Sequence, residues 1–487
     1  VHSMTGQRGD RVRNRPPRRV IPLTRMPDNA PSGTPPLWRV LILAGVAAVT
    51  AGAWLVRESI GVRGQAVVGV FCFLGVAAAF SADLRGVNWR TVATGLGLQF
   101  LLAVLILRVE FVYQGFEALG FAVSKFLDFA NKGADFVFGP LADHGLSEKA
   151  FGKNLGYIFA VRALPAVIFV SAVFTVLYHL RVLQGVVWVF ARAMVFVFGR
   201  RGVSGAEALA ATANVFMGQT EAPLIIKPYV ASMTKSELLA LMIGGMATIA
   251  GGVMAAYIGM GADPVAILAT SVMAAPTGLY LSKLLLPETE EPVTRGQVRM
   301  ADERKHANVI DAAAGGASDG MMLVINIIAM LIAFIAGIAL VNYLLGLVGP
   351  VIRVPDLSLE WLFSKLFAPV AFLTGVPWDD APRVGELLGK KLVLNEFVAF
   401  KDLTDVNSVK KDDRFVGVQG MQERSYRLAV FALTGFANFS SIGIQLGGIG
   451  AMAPSRRSDL ARLGLRALLG GFLATLINAA IAGILLG

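Results

Sequence analysis

The sequence predicts an all-α polytopic membrane protein, and three observations carry this prediction. Of the 487 residues, 55% are hydrophobic and 16% are charged, and the mean hydropathy is +0.64. This composition is too apolar for a soluble globular protein. Several apolar segments approach the ~20 residues that a spanning helix needs. Two other regions place polar residues between apolar stretches too short to cross a bilayer, which predicts re-entrant helical hairpins.

The chain begins with an Arg- and Pro-rich tail, residues 1–37, for which we predict disorder. The tail holds much of the net charge of +11. We interpret that charge as a topology signal and a contact for lipid rather than for nucleic acid. An internal Met26 leaves a later start site open. The single cysteine, Cys72, lies in an apolar run, where its expected role is packing.

Seven segments are long and apolar enough to span the bilayer as helices. Charged residues bracket the first three, which we place in a scaffold region, residues 38–150. Pro165 is expected to kink the fourth. The seven segments are residues 40–56, 65–82, 92–109, 157–180, 238–257, 321–345 and 460–486.

Residues 111–130 follow a different pattern, because their apolar side chains recur at helical spacing and their polar side chains fall elsewhere. The apolar positions are Val112, Phe116, Leu119, Val123 and Phe126. This spacing predicts an amphipathic helix in the plane of the membrane interface. The alternative is a short helix packed against other helices.

Two segments predict helical hairpins that enter the membrane and turn back: hairpin 1, residues 204–229, and hairpin 2, residues 357–400. Each is followed by a long apolar helix that glycine and hydroxyl residues interrupt. Interrupted segments at corresponding positions of two halves are typical of secondary transporters built from inverted repeats. We therefore distinguish a first transport unit (151–290), a polar loop (291–320) and a second transport unit (321–487), which ends in the C-terminal helix.

Hairpin 1 contains "VFMGQTEAPL", in which apolar residues flank Gln219, Thr220 and Glu221. Asn395 and Glu396 repeat this pattern in hairpin 2. An ionisable side chain at membrane depth is costly, so each glutamate is a functional hypothesis.

A structural role is the alternative for both glutamates. Glu221 has Lys227 nearby in sequence and backbone N–H groups at the hairpin tip, and Lys390 and Lys391 precede Glu396.

The second interrupted helix supplies uncharged polar groups at Asn438, Ser440 and Ser441. The alternative for each serine is a hydrogen bond back to a carbonyl of its own helix.

A helix broken inside the membrane frees backbone carbonyls, which suit a hard cation when an amide oxygen and a hydroxyl lie beside them. Asn214 and Thr248 are candidate side-chain ligands. These segments lack His and Cys, which argues for Na⁺ and against a transition metal. Enzyme motifs of the H-E-x-x-H and G-x-S-x-G types are absent, and "GELLGKK" at Gly385 lacks the spacing and hydroxyl of a phosphate loop.

Four segments together resemble the signature segments of the concentrative nucleoside transporter family, in that family's order. They are "GQTEAPL" at 218–224, "MATIAGGVM" at 246–254, "NEFVAF" at 395–400 and "GFANFSSIGI" at 435–444. The resemblance extends from about residue 40 to the C-terminus and implies a bacterial member. It implies a homotrimer in the bacterial inner membrane, with eight transmembrane helices, two re-entrant hairpins and interfacial helices in each protomer.

The resemblance also implies roles for individual residues. For the nucleobase these are Gln219, Thr220 and Glu221, with Val253 beside it. For the ribose hydroxyls they are Glu396, Asn438 and Ser441, with Phe436 near the sugar and base. For Na⁺ they are the side chains of Asn214 and Thr248 and the backbone carbonyls of Met217 and Ile249.

From these residues and this resemblance we expect a secondary active transporter that imports nucleosides such as uridine, adenosine and cytidine by Na⁺ symport and alternating access. No catalytic residue, no cofactor besides the coupling Na⁺ and no nucleic-acid partner are expected. The alternatives are an H⁺-coupled symporter with Glu396 as proton carrier, a passive nucleoside channel, and an intramembrane enzyme with Glu221 and Glu396 as an acid–base pair.

Overall fold

The structure is a computed structural model of the chain. It describes residues 33–142, 146–147, 149, 158–162, 164–199, 202–297, 306–404 and 421–486. Most of the predicted tail (1–32), the start of the first transport unit (151–157) and part of the polar loop (298–305) lie outside the described residues.

Helices dominate the described residues, whose one β-pairing is an isolated bridge between Ser204 and Arg295. The helices of nine residues or more are, in chain order, α1 (Pro36–Leu55), α2 (Arg57–Ala79), α3 (Trp89–Arg108), α4 (Glu110–Phe138), α5 (Leu164–His179), α6 (Val182–Phe198), α7 (Gly205–Ala213), α8 (Lys235–Ala247), α9 (Gly251–Gly259), α10 (Pro264–Leu285), α11 (Val309–Val348), α12 (Leu359–Leu373), α13 (Ala381–Val393), α14 (Glu396–Thr404), α15 (Glu423–Leu433), α16 (Phe439–Met452) and α17 (Arg457–Leu485). Shorter turns occupy Leu84–Gly86, Gly139–Leu141, Phe159–Arg162, Ala222–Ile226, Lys227–Val230 and Pro454–Arg456.

The predicted helical membrane fold is confirmed. Seven stretches of the described chain are long and apolar enough to cross a membrane: α1, α2, α3, α8 with α9, α10, α11, and α17 with the turn before it. An eighth arises if α5 and α6 form one span, although they meet at an angle of 75°.

The sequence analysis did not predict helix α10. In the structure, 89% of the residues in its most apolar stretch are buried. Its hydroxyl residues dilute the apolar pattern. In the structure they cost little, because the hydroxyls of Thr270 and Thr277 donate to carbonyls of their own helix at 2.7 Å. Hydroxyl residues are therefore compatible with a span at the centre of the bundle.

The described part of the span predicted at residues 157–180 is helical at Phe159–Arg162 and in α5, which ends at His179. Pro165 lies in the first turn of the described part of α5. Residue 163 lies outside the described residues, and the predicted kink at Pro165 stays a prediction.

The amphipathic segment forms α4, which continues to Phe138, beyond the predicted end. Val112, Phe116, Val123 and Phe126 pack against the core, whereas Leu119 is 50% exposed. The helix contacts α3, α5, α9 and α10. Its position in the membrane interface stays a prediction.

The core that carries the site is built around α8, α10 and α17, which pack against one another. More than four-fifths of the residues in the most apolar stretch of each are buried, whereas the corresponding fractions for α1 and α11 are 6% and 12%. Exposed apolar helices of this kind need lipid or another subunit around them. The most deeply buried apolar helices thus lie at the centre of the bundle.

Candidate functional site

Hairpin 1 begins with a capped helix and ends in a non-helical tip. The Ser204 hydroxyl accepts from the Glu207 N–H at 3.2 Å, and the Glu207 carboxylate accepts from the Ser204 N–H at 2.8 Å, which forms a capping box at the start of α7. Every residue of α7 is buried. The chain leaves the helix at Asn214 and becomes helical again at Ala222, so residues 214–221 form the tip.

Hairpin 2 has more helices than the two short stretches that the sequence predicted. Residues Thr374–Asp380 connect α12 to α13, and these two helices pack against each other. Helix α14 follows after Leu394 and Asn395. The side chain of Asn395 accepts from the Val398 N–H at 3.0 Å and so caps α14. Glu396 therefore stands at the first residue of a helix, where a carboxylate is favoured.

The two predicted interruptions are present and touch each other. The first separates α8 from α9 at Thr248–Ala250, and the second separates α15 from α16 at Thr434–Asn438. The Phe436 N–H donates to the Thr248 carbonyl at 3.1 Å. Gly435 has a φ of 142°, and a Cβ there would lie 3.0 Å from the Ala247 carbonyl oxygen. The two breaks can approach this closely because residue 435 is a glycine.

The tip of hairpin 1 is joined to the second interruption by a buried amide chain. The Gln219 amide donates to the Ser441 hydroxyl at 3.2 Å and accepts from the Gln445 amide at 3.1 Å. Gln445 also donates to the Met242 carbonyl at 2.9 Å. The structure therefore brings Gln219 and Ser441 together, although they are 222 residues apart in sequence.

Glu396 is held by two donors from different helices. Its carboxylate accepts from the Tyr257 hydroxyl at 3.0 Å and from the Asn438 amide at 2.8 Å, and the residue is 3% exposed. Tyr257 itself is stacked on Phe400, with ring centroids 4.2 Å apart. This fixes a buried carboxylate beside the second interruption.

Asn438 organises the start of α16. Its amide oxygen accepts from the Ser441 N–H at 2.9 Å and from the Ser440 hydroxyl at 2.7 Å. The Ser440 hydroxyl thus bonds to Asn438 and not to a carbonyl of the preceding turn. One side chain therefore both caps α16 and orients Glu396.

Among the described residues neither Lys390 nor Lys391 forms a salt bridge with Glu396, although the charge of Lys391 acts on Glu396 at longer range. Lys390 forms salt bridges with Glu386 and Asp402, both at 2.7 Å. Lys391 donates to a backbone carbonyl and to a hydroxyl. For Glu221 the backbone alternative is present, because its carboxylate accepts from the Gly218 N–H at 3.2 Å.

Glu221, two residues after Gln219 in the tip of hairpin 1, faces a cavity. Its side chain is exposed and lines a cavity of about 300 Å³ together with residues of α5, α9 and α11. Glu396, Asn438 and Ser441 do not line that cavity. The remaining predicted substrate residues are placed as follows: Val253 is 2% exposed in α9, Phe436 is half-buried, and the Thr220 side chain lies against Gly448 of α16.

Two of the predicted ion ligands, Thr248 and Ile249, lie in the first interruption. Asn214 is 1% exposed, and neither its amide oxygen nor its amide nitrogen has a hydrogen-bond partner among the described residues. It lies against Gly244, in the last turn of α8. The Thr248 hydroxyl donates to the Gly244 carbonyl at 2.9 Å, which leaves its lone pairs available. A buried amide with two unpaired polar atoms is rare in native proteins, and an ion or a water molecule can supply the missing partners.

The backbone around Asn214 adds further oxygen atoms. Among the described residues, neither the Met217 nor the Ile249 carbonyl accepts a hydrogen bond. The described chain also has no group of three or more His, Cys, Asp and Glu side chains that suits a metal ion. An amide oxygen, a hydroxyl and free carbonyls are the kinds of donor that suit a hard monovalent cation, and a Na⁺ site at these residues stays a prediction.

Sequence reasoning missed Gln445 and Tyr257, although both touch the predicted residues directly. Gln445 lies one helical turn after Ser441, on the same face of α16, and this spacing could have identified it. Tyr257 follows the first interruption at a position where its hydroxyl is 0% exposed and must find a partner. No local motif connects it to Glu396.

Comparison with known families covers most of the chain. Models described as Na⁺-dependent nucleoside transporter C-terminus, Na⁺-dependent nucleoside transporter N-terminus and nucleoside recognition match residues 266–483, 68–141 and 160–264.

Curated relatives and solved structures are similar to most of this chain. An uncharacterized transporter of Haemophilus influenzae is 43% identical, over 87% of this chain and 98% of its own. The mouse sodium/nucleoside cotransporter 1 is 41% identical, over 92% of this chain and 68% of its own. The structure of CNTnw in an inward-facing substrate-bound state is 39% identical with a TM-score of 0.79, and covers 87% of this chain and 98% of its own. A CNTnw variant in an outward-facing state is 38% identical with a TM-score of 0.81 and the same coverage.

Proposed function

The chain belongs to the family of Na⁺-dependent concentrative nucleoside transporters and imports nucleosides by Na⁺ symport with alternating access, and we propose which of its residues bind the two solutes. Gln219, Glu396, Asn438 and Ser441 form the centre of the nucleoside site in this proposal. Asn214 and Thr248 form the ion site. The observation that carries both assignments is that the tip of hairpin 1 meets both helix interruptions.

The polar groups of the cluster match the chemistry of a nucleoside. The Glu396 carboxylate has more lone pairs than its two donors use, so it can accept from vicinal ribose hydroxyls. The Gln219 amide offers a donor and an acceptor, as the edge of a base does. Thr220, Glu221, Val253 and Phe436 complete the proposed site. A site of this kind rejects deoxy analogues, because its own buried polar groups would be left unpaired.

The proposed ion site lies within the same tip. Asn214 and Thr248 supply side-chain oxygens, and Met217 and Ile249 supply backbone carbonyls. The Phe216 carbonyl accepts from the Gly251 N–H at 3.2 Å, so the tip is tied to the start of α9. An ion at Asn214 would therefore order the same residues that carry Gln219, which couples ion binding to substrate binding.

The Na⁺ gradient is sufficient for accumulation. One positive charge that enters with a neutral nucleoside gains about 2.3 kcal/mol per 100 mV. A tenfold gradient adds about 1.4 kcal/mol. The sum, roughly 3.7 kcal/mol, corresponds to accumulation of a few hundredfold.

The assembly we propose is a homotrimer in the bacterial inner membrane. The family resemblance implies this state, and the exposed apolar faces of α1 and α11 offer surface for lipid and for other subunits. Uridine, adenosine and cytidine are the proposed substrates.

Uptake into proteoliposomes tests this function. Labelled uridine, adenosine and cytidine are supplied with an inward Na⁺ gradient, with K⁺ in place of Na⁺, and with a proton gradient alone. We expect accumulation of unmodified nucleoside that requires Na⁺ and increases with an inside-negative potential. Uptake that follows the proton gradient instead would show H⁺ coupling and refute the ion site.

A further inference from the structure

Lys391 is a buried cation that the proposed sites do not use. It lies in the last turn of α13 and is 0% exposed. Its ammonium donates to the Ala432 carbonyl at 2.8 Å and to the Thr475 hydroxyl at 3.0 Å. Among the described residues no carboxylate forms a salt bridge with Lys391, and the negative charge of Glu396 acts on it only at longer range. A lysine removed from water without a direct acidic partner is expensive, so a role for its charge is expected.

The acceptors of Lys391 lie at the second helix interruption. Ala432 is in the last turn of α15, two residues before the chain leaves the helix at Thr434. The last carbonyls of a helix have no partner within it and carry the negative end of its dipole. Lys391 therefore brings a positive charge from hairpin 2 to the broken end of α15.

The first transport unit has the same arrangement with one difference. A threonine follows the last residue of each helix, Thr248 after α8 and Thr434 after α15, and both hydroxyls donate to the carbonyl four residues earlier, at 2.9 and 2.7 Å. The end of hairpin helix α7 approaches α8 with the Asn214 amide, which has no partner. The end of hairpin helix α13 approaches α15 with the Lys391 ammonium.

We propose that the Lys391 ammonium is a built-in counterpart of the transported cation: it occupies in the second unit the position that Na⁺ occupies in the first. This inference rests on the proposed ion site at Asn214 and Thr248. Lys391 is a positioning residue, because it acts on the nucleoside through Glu396, which stands five residues later in hairpin 2. Hairpin 2 thus stays in contact with the end of α15 without an ion. Na⁺ binding changes only the contact between hairpin 1 and the end of α8.

Chemical rescue tests this proposal. The variant Lys391→Ala removes a propylammonium group, so n-propylammonium is the matching probe. Uridine uptake by this variant is expected to fall at least about tenfold, because two hydrogen bonds to a charged donor are lost. Added n-propylammonium is expected to restore much of the uptake, whereas the wild type and Lys390→Ala should not respond. Lys390 is the matched control, since its salt bridges lie closer to solvent.

A second variant separates the charge from the volume of the side chain. Lys391→Met fills the same space without charge and leaves no cavity for the amine. We expect it to lose uptake about as strongly, while its thermal unfolding midpoint stays near that of the wild type. Wild-type uptake by Lys391→Met would overturn the proposal, and so would a loss in Lys391→Ala that n-propylammonium does not restore.

The same vesicles distinguish this proposal from the function on which it rests. Uptake by the wild type that is independent of Na⁺ would refute the ion site. An intact Na⁺ dependence together with failed amine rescue would refute the role of Lys391 alone.

Discussion

The two transport units use the same construction but differ in how their polar side chains are paired. In the first, the buried Asn214 amide has no hydrogen-bond partner among the described residues, and the Glu221 side chain accepts from the Gly218 N–H and is exposed to a cavity. In the second, Glu396 accepts from two donors and Lys391 donates to two acceptors. The first unit thus has a buried amide that an incoming ion can bind, whereas the charged side chains of the second unit are already hydrogen-bonded within the protein.

This difference indicates where conformational coupling originates. A ligand shifts an equilibrium only through its differential affinity for the two states. The Asn214 amide at the tip of hairpin 1 can provide such a difference in affinity, because a bound ion would pair with its oxygen. The groups of the second unit change little on ion binding, so their contribution is a fixed surface for the sugar.

The largest effect is expected from Glu396→Gln, which replaces the buried carboxylate that accepts from Tyr257 and Asn438. A glutamine keeps one acceptor, and its NH2 group meets either the Tyr257 hydroxyl or the Asn438 amide nitrogen. The kcat/KM for uridine uptake should fall at least about 100-fold, because two hydrogen bonds to a charged acceptor are weakened at about 1.5–3 kcal/mol each. Initial rates in proteoliposomes measure this.

The matched control for that variant is Tyr257→Phe, which keeps the carboxylate and removes a single donor. It should reduce kcat/KM by about tenfold, since one hydrogen bond is lost. Equal losses in the two variants would contradict the view that the carboxylate itself accepts from the ribose.

A smaller but more selective effect is expected from Asn214→Ala in the first unit. The Na⁺ concentration for half-maximal uptake should rise at least about tenfold, since one of the proposed oxygen ligands is lost. The thermal midpoint without Na⁺ should not fall, because neither amide atom of Asn214 is paired in the protein. In the wild type, Na⁺ should raise that midpoint, and in the variant it should not.

A loss of stability in Asn214→Ala without Na⁺ would assign the side chain a structural role. Thr248→Val provides the comparison at the other side-chain ligand. Its hydroxyl already donates within its own helix, so this variant is expected to lose both some Na⁺ affinity and some stability.

The sequence was sufficient for the parts of the molecule in which local pattern determines structure. Apolar length identified α1, α2, α3 and α11, and glycine and hydroxyl residues marked both interruptions. Polar residues between short apolar stretches located the tip of hairpin 1, because such groups are costly in contact with lipid.

What the sequence did not reveal depends on partners that are distant along the chain. The bond between Tyr257 and Glu396 joins residues 139 positions apart, and the one between Gln445 and Gln219 joins residues 226 apart. Helix α10 was missed because its hydroxyls are satisfied by its own backbone, which a hydropathy pattern does not register. Lys390 and Lys391 are adjacent in sequence, yet Lys390 pairs with Glu386 one helical turn earlier and with Asp402 of α14, whereas Lys391 donates to two neutral acceptors.

Glu221→Gln compares the two glutamates directly. Glu221 accepts from the Gly218 N–H and is exposed, so a glutamine can keep that hydrogen bond through its own carbonyl. We expect a loss of about tenfold in kcat/KM for uridine, well below that of Glu396→Gln. A loss as large as that of Glu396→Gln would show that both carboxylates must be charged, and would remove the proposed difference between the units.

The smallest effect is expected from Gln445→Met, which tests how the second unit orients the first. Gln445 donates to the Gln219 amide oxygen and so determines which end of that amide faces Ser441. Without it the Gln219 amide can turn over, and the KM for uridine should rise about three- to tenfold at unchanged Na⁺ dependence. The thermal midpoint should fall little, because the Gln445 carbonyl oxygen is buried without a partner and its removal offsets the lost hydrogen bonds. A change in Na⁺ dependence instead would mean that the amide chain transmits ion binding, and that the second unit is less passive than its closed hydrogen bonds indicate.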